Sequence, residues 1–255
     1  MIHTHNQQEY GPRELFGSYL DRVGGERLEG RGDVRLLDGS QSISHDILDW
    51  ETRHGTLVRY TNADILHSIL PSAKIIMILR NPVDRLYSDY FYFNSPQYYA
   101  DSTYTCTPEL FHSEVEKEIG KWDVCMRESK SLQKCCYSSE LMDPQAKIRL
   151  PLSVYICFVK PWLELFGSNF HLVSLENYSA KQAETLLEIF RFLDLPLPTV
   201  STIENILSER QEIINKGKSY APMLSKTREL LTAFYRPYNE MLYGLTGEPA
   251  FLFEK

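Results

Sequence analysis

Residues 79–93 read LRNPVDRLYSDYFYF. They continue an apolar run, Ile75-Ile76-Met77-Ile78, so that a full positive charge, Arg80, stands where a strand ends. A short continuous run rich in isoleucine suits a strand buried on both faces. The residues after Arg80 have the grammar of a helix start. Asn81 is a good N-cap and Pro82 fits the first helical position. Asp84, three after the cap, is placed to close a capping box. Arg80 therefore marks the carboxyl end of a strand beside a helix N-terminus, the place where open α/β sheets bind ligands. Free N–H groups and the macrodipole favour an anion there, and a guanidinium adds a fork suited to phosphate. Ser88, two turns into the helix, offers a hydroxyl to the same anion. The alternative is a plain strand-turn-helix in which Arg80 pairs with a carboxylate.

Outward from this segment, strands alternate with helices. Ala63 to Leu70 reads as a short helix and Lys74 to Leu79 as the strongest strand. Thr107-Pro108 opens a helix with Phe111, Val115, Ile119 and Trp122 on its apolar side. Between Ala146 and Phe166, Leu152, Tyr155, Val159, Trp162 and Phe166 recur at helical spacing, and Pro151 and Pro161 are expected to bend or break that run. Phe170 to Leu175 is a second strand. Ser179 is expected to cap a helix bearing Ala183, Leu186, Leu187, Phe190 and Leu193. Further helices are expected near Thr202 to Ile214 and Ser225 to Tyr243. Toward the N-terminus lie a helix over Pro12 to Val23, a glycine-rich loop containing Arg31-Gly32-Asp33, and a short strand over Val34 to Leu37. Alternation of this kind indicates an α/β fold with a parallel sheet covered on both faces.

The chain has 255 residues, 43% hydrophobic and 12% aromatic, enough for one sizeable core, and no internal repeat. A net charge of -7 argues against a general nucleic-acid binder. It leaves room for a polyanionic substrate met by a local basic cleft. No apolar run approaches the ~18 residues of a membrane span. The five cysteines, 106, 125, 135, 136 and 157, show no CxxC pair and no accompanying histidine cluster, so no metal is expected. Cys125 is spaced to close a short loop with Cys135 or Cys136; several free thiols fit the spacing equally. Asn177-Tyr178-Ser179 is an N-glycosylation sequon. Arg53, Arg59 and Arg149 read as ordinary surface charges.

A second anion candidate lies at 214–223, INKGKSYAPM, where two lysines flank a glycine that lets the backbone approach a ligand. The strand–LRNPVDRLYSDY–helix unit, then NKGKSYAPM, then TRELLTAFYRPYNEML together resemble the carbohydrate sulfotransferases of the Golgi, nearest to those acting on chondroitin sulfate. The resemblance runs from about Leu36 to the C-terminus; residues 1–33 match poorly. It implies a single domain on a P-loop NTPase-like α/β core, a parallel sheet flanked by helices, with 3′-phosphoadenosine 5′-phosphosulfate as co-substrate and no metal. By position, Arg80 and Ser88 match the pair that holds the donor's 3′-phosphate. Lys216, Gly217, Lys218, Ser219 and Tyr220 match the loop that closes over the nucleotide; Lys218 stands where arginine is common. The implied partner is a sulfated glycan acceptor and the implied location the Golgi lumen, on a parent with an N-terminal anchor. That location favours a disulfide from Cys125 to Cys135 or Cys136.

One family feature is missing. The first 70 residues contain no Pro-Lys-x-Gly-Thr-Thr loop and no GxxxxGK[ST], so the first strand and phosphosulfate loop are lacking and no catalytic base is assigned. The expectation is an N-terminally incomplete sulfotransferase domain. The other reading is a form that only binds nucleotide 3′-phosphate or sulfated glycan.

Overall fold

The computed structural model describes residues 61–94, 105–143, 145–210 and 221–254. The helix expected over Pro12 to Val23, the Arg31-Gly32-Asp33 loop, the strand over Val34 to Leu37, Arg53, Arg59 and the loop Lys216 to Tyr220 lie outside these residues.

Two parallel strands form the sheet of the described residues. β1 (Ile75–Leu79) pairs with β2 (Phe170–Ser174), Ile75 opposite Phe170 and Leu79 opposite Ser174. Their carboxyl ends therefore lie side by side. Ile75, Met77 and Leu79 pack into the core, while Ile78 on the alternate face is 58% exposed. The expectation of burial on both faces fails here: β1 shows the period-2 alternation of a strand with one packed face.

α1 (Asn62–Ile69) precedes β1 and starts with a closed capping box. The Thr61 hydroxyl accepts from the Asp64 N–H at 3.3 Å, and the Asp64 carboxylate accepts from the Thr61 N–H at 2.6 Å. α2 (Pro82–Phe93) leaves β1 immediately, burying Val83, Leu86 and Tyr90 at i, i+3 and i+7. α3 (Pro108–Ser129) is capped by Thr107, as expected, and buries Phe111, Val115 and Trp122. The short α4 (Leu132–Cys136) then turns back.

Two prolines divide the next segment differently from expectation. Pro151 belongs to a single 3-10 turn, Leu150–Ser153, and helix resumes as α5 (Ile156–Phe166). Pro161 does not break α5. Its missing N–H leaves the Cys157 carbonyl without a helical donor, and the Tyr137 hydroxyl donates to that carbonyl at 3.4 Å. The apolar positions anticipated for this segment, Leu152, Tyr155, Val159, Trp162 and Phe166, are all buried. Gly167, at φ +51, ends α5 in a conformation that favours glycine and leads into β2.

After β2 come α6 (Leu175–Ala180), α7 (Gln182–Phe192) and α8 (Val200–Arg210). Ser179 does not cap α7. It lies inside α6, where its hydroxyl donates to the Leu175 carbonyl at 2.8 Å, and Lys181 takes the cap position without a side-chain bond. Lys74 pins the far end of α7 to the start of β1, donating to the Phe192 carbonyl at 2.6 Å and pairing with Asp194. Finally α9 (Ser225–Thr246) packs against α2, α3 and α5. Trp122 of α3 meets α9 edge-on through Phe234 and Tyr238, and its indole N–H donates to the Tyr238 hydroxyl at 2.8 Å. Burying a side chain of that size contributes about 3 kcal/mol.

Two disulfides tie this helical layer. Cys125 of α3 bonds Cys135, which decides between the two partners left open by the spacing; Cys136 bonds Cys157 of α5. The second bridge was not anticipated. Cys106 is a free thiol whose pKa is raised by burial.

Candidate nucleotide-phosphate site

Arg80 follows β1 directly, so the sheet fixes its backbone from one side. Asn81 caps α2 as predicted, its Oδ1 accepting from the N–H of Val83 at 3.0 Å and of Asp84 at 3.4 Å. The capping box, however, is not closed by Asp84. The Asp84 carboxylate accepts instead from Arg228 of α9 at 2.8 Å. The Asn81 N–H donates to Glu176 Oε1 at 2.7 Å, and Glu176 is anchored by the Ser174 hydroxyl at 3.0 Å. Pro82 has no N–H. Every amide at the start of α2 is therefore either absent or taken by the protein. The expectation that free helical N–H groups would receive an anion does not hold; what α2 offers an anion is side chains.

Those side chains are available. Among the described residues the Arg80 guanidinium has no hydrogen-bond or ion-pair partner, so the alternative of an Arg80–carboxylate pair is not realised there. The Ser88 hydroxyl is likewise without a partner among the described residues. Asn81, Asp84 and Ser88 recur at i, i+3 and i+7, on one face of α2. Beside Ser88, the Tyr87 hydroxyl donates at 2.6 Å to the carbonyl of Ala221, the first described residue after 211–220. Burial, and to a lesser degree Glu109, raises the Tyr87 pKa, so the phenol stays a donor.

Arg85, four residues after Asn81 and three before Ser88, borders that face and is occupied differently. Arg85 donates to the Ser153 hydroxyl and to Asp89, each at 2.6 Å. Arg149 lies half-buried over the Phe93 ring, 5.0 Å from its centroid, and burial lowers its pKa. It is no ordinary surface charge. The Tyr155 hydroxyl donates to the Arg80 carbonyl at 2.8 Å. Burial pushes the Tyr155 pKa up to about 12, so that donor keeps its proton.

Sequence reasoning did not find Glu176 or Tyr155. For Glu176 a signal existed: it stands two residues beyond the carboxyl end of β2, at the same sheet edge as Arg80. Among the described residues no cluster of metal-ligating side chains occurs. A depression lined by Ser179, Lys181, Glu184 and Leu207 contains none of the predicted site residues.

The family profile described as the sulfotransferase domain matches residues 60–228. The chain belongs to the sulfotransferase domain family. That span includes Arg80, Ser88, Tyr155, Glu176 and the segment 216–220. Among curated proteins, human carbohydrate sulfotransferase 15 is 30% identical over 204 residues, 75% of this chain and 33% of the human protein. Carbohydrate sulfotransferase 15 of Nototodarus sloanii is 28% identical over 148 residues, 55% of this chain and 89% of that protein. The chain thus spans about a third of the length of the mammalian relatives it matches. A crystal structure of a sulfotransferase from Alicyclobacillus acidocaldarius superposes with a TM-score of 0.48 at 21% identity, covering 76% of this chain and 62% of that one.

Proposed function

We propose that this chain is the sulfuryl-transfer domain of a carbohydrate sulfotransferase, with 3′-phosphoadenosine 5′-phosphosulfate as donor and a glycosaminoglycan such as chondroitin sulfate as acceptor. One observation carries the reading. Arg80 and Ser88, the two residues that match the family's 3′-phosphate pair, are the groups at the β1–α2 junction that have no partner among the described residues. A guanidinium and a hydroxyl suit a doubly charged phosphate by charge-assisted hydrogen bonds.

The segment 216–220 joins this site in the proposal. Ala221, which follows this segment, is bonded to Tyr87, the neighbour of Ser88 in sequence. Lys216, Gly217, Lys218, Ser219 and Tyr220 would close over the nucleotide, the lysines adding charge to the phosphate already met by Arg80.

In the reaction an acceptor hydroxyl oxygen bonds to the sulfur, the sulfur–oxygen bond to the 5′-phosphate breaks, and the hydroxyl proton passes to a base. Adenosine 3′,5′-bisphosphate departs. The part assigned to Arg80 and Ser88 is remote from the bond being made: they hold the far end of the donor so that its sulfuryl group is presented in one orientation. The two disulfides fit an oxidising compartment, in keeping with a Golgi-lumenal protein. Asn177 and Ser179 of the sequon are exposed on α6, consistent with a glycoprotein. The absence of a Pro-Lys-x-Gly-Thr-Thr sequence from the first 70 residues favours a second reading, a domain that binds nucleotide without turnover.

The test is a pair of assays on this chain: transfer of labelled sulfate to chondroitin sulfate, and calorimetric binding of adenosine 3′,5′-bisphosphate. Transfer supports the enzyme. Binding without transfer supports the second reading. Absence of both overturns the donor site.

A further inference from the structure

The peptide unit between Arg80 and Asn81 is gripped at both of its polar edges. Its carbonyl accepts from the Tyr155 hydroxyl at 2.8 Å, and its N–H donates to Glu176 Oε1 at 2.7 Å. These holders are 75 and 95 residues away in sequence and come from different elements, the N-cap of α5 and the first turn of α6. We propose that Tyr155 and Glu176 are positioning residues for the donor site: together they clamp this peptide, fix the aim of the Arg80 guanidinium, and thereby set discrimination between nucleotides with and without a 3′-phosphate. The inference rests on the proposed donor site.

A peptide unit is planar. Holding its two edges fixes the plane, and with it ψ of Arg80 and φ of Asn81. On its other side Arg80 follows Leu79, which is paired with Ser174 in the ladder. The Arg80 Cα is thus bracketed between a strand and a clamped plane, leaving only side-chain rotations free. The holders are themselves held. Tyr155 is buried, with its ring 6.1 Å from that of Phe253. Glu176 has its second oxygen bound by the buried Ser174, the register partner of Leu79. A carboxylate two residues past the end of β2 therefore orients the residue that follows the end of β1.

The clamp has a particular consequence at this helix start. The amides of Asn81, Val83 and Asp84 are all occupied. No backbone donor there stands ready to compensate if Arg80 is misdirected. Small displacements of a binding group lose a disproportionate share of its interaction.

The experiment compares the affinity of the full chain for adenosine 3′,5′-bisphosphate and for adenosine 5′-monophosphate by calorimetry. Tyr155→Phe removes one hydroxyl and keeps the ring. Glu176→Ala removes the acceptor, and Glu176→Gln retains an oxygen for the Asn81 N–H. Tyr155→Phe and Glu176→Ala are expected to weaken the bisphosphate about 3–10-fold, the scale of one hydrogen bond, with the monophosphate within about twofold. Glu176→Gln is expected to restore the discrimination. Equal losses for both nucleotides, or no loss for either, overturn the clamp. Should Glu176→Ala fail to fold, Tyr155→Phe carries the test alone. Arg80→Ala separates the two levels: if it leaves bisphosphate affinity unchanged, the donor-site reading falls and the clamp with it. If it weakens the bisphosphate while Tyr155→Phe does not, the clamp alone falls.

Discussion

Arg80 and Arg85 stand five positions apart on the same strand-to-helix unit and do opposite things with the same charge. The Arg85 side chain is 12% exposed, beside an Asp89 side chain 20% exposed, and a serine completes its hydrogen bonding. Arg80 projects from the junction with its backbone held on both edges and its guanidinium unmatched among the described residues. One cation is bonded within the fold; in the proposed function the other serves a ligand. Breaking a largely buried pair is costly because it leaves one charge unpaired, whereas an unmatched charge on a held backbone is available to a ligand.

The difference can be attacked directly. Arg85→Ala leaves the Asp89 carboxylate without its partner, and should lower unfolding free energy by about 3 kcal/mol, read from denaturant midpoints. Arg80→Ala should do the reverse, with stability within about 0.5 kcal/mol of the parent. Its binding free energy for adenosine 3′,5′-bisphosphate should fall by about 1.5–3 kcal/mol, the scale of a hydrogen bond to a charged group. A large stability loss in Arg80→Ala would erase the distinction between the two arginines.

Alkaline pH probes the residue that touches both regions. Burial raises the folded-state pKa of Tyr155 from 10.0 to about 12. The unfolded chain therefore loses this proton first as pH rises. The stability carried by the buried phenol is complete below about pH 10 and declines between pH 10 and 12, by about 3 kcal/mol at most. Thermal melts across that range should show the decline, and Tyr155→Phe should flatten it. Tyr235, which donates to the Leu150 carbonyl at 3.0 Å, is shifted in the same direction by burial and leaves a residual slope. The smallest effect belongs to Arg228→Ala. Its pair with Asp84 joins side chains 49% and 39% exposed, so stability should change by less than about 1 kcal/mol, and less still at high salt.

What the sequence disclosed and what it hid divide along local and distant interactions. The start of α2 was legible because Asn81 and Pro82 act within a few residues of themselves. Arg80 was legible because a charge closing an apolar strand is locally anomalous. Glu176 was hidden because it replaces a local partner: Asp84 had the spacing for the capping box, but tertiary packing gave it Arg228, and a carboxylate 95 residues away took its place. The survival of α5 through Pro161 also depended on a distant donor, the Tyr137 hydroxyl. Ser179 was misassigned because two short helices meet at Lys181 with no side-chain cap to mark the boundary. The spacing of Cys125 allowed two closures, and only the packed positions of α3, α4 and α5 separated them.

Cys135 and Cys136 are adjacent yet bridge to different helices, Cys125 in α3 and Cys157 in α5. A single dipeptide is thus the covalent knot for three segments of the layer. A protease cut anywhere between 137 and 156 would leave both pieces joined through Cys136–Cys157. Such a nick would be invisible on a non-reducing gel and would appear as two fragments once thiol is added, which makes the bridge a covalent safeguard against clipping in the connection before α5.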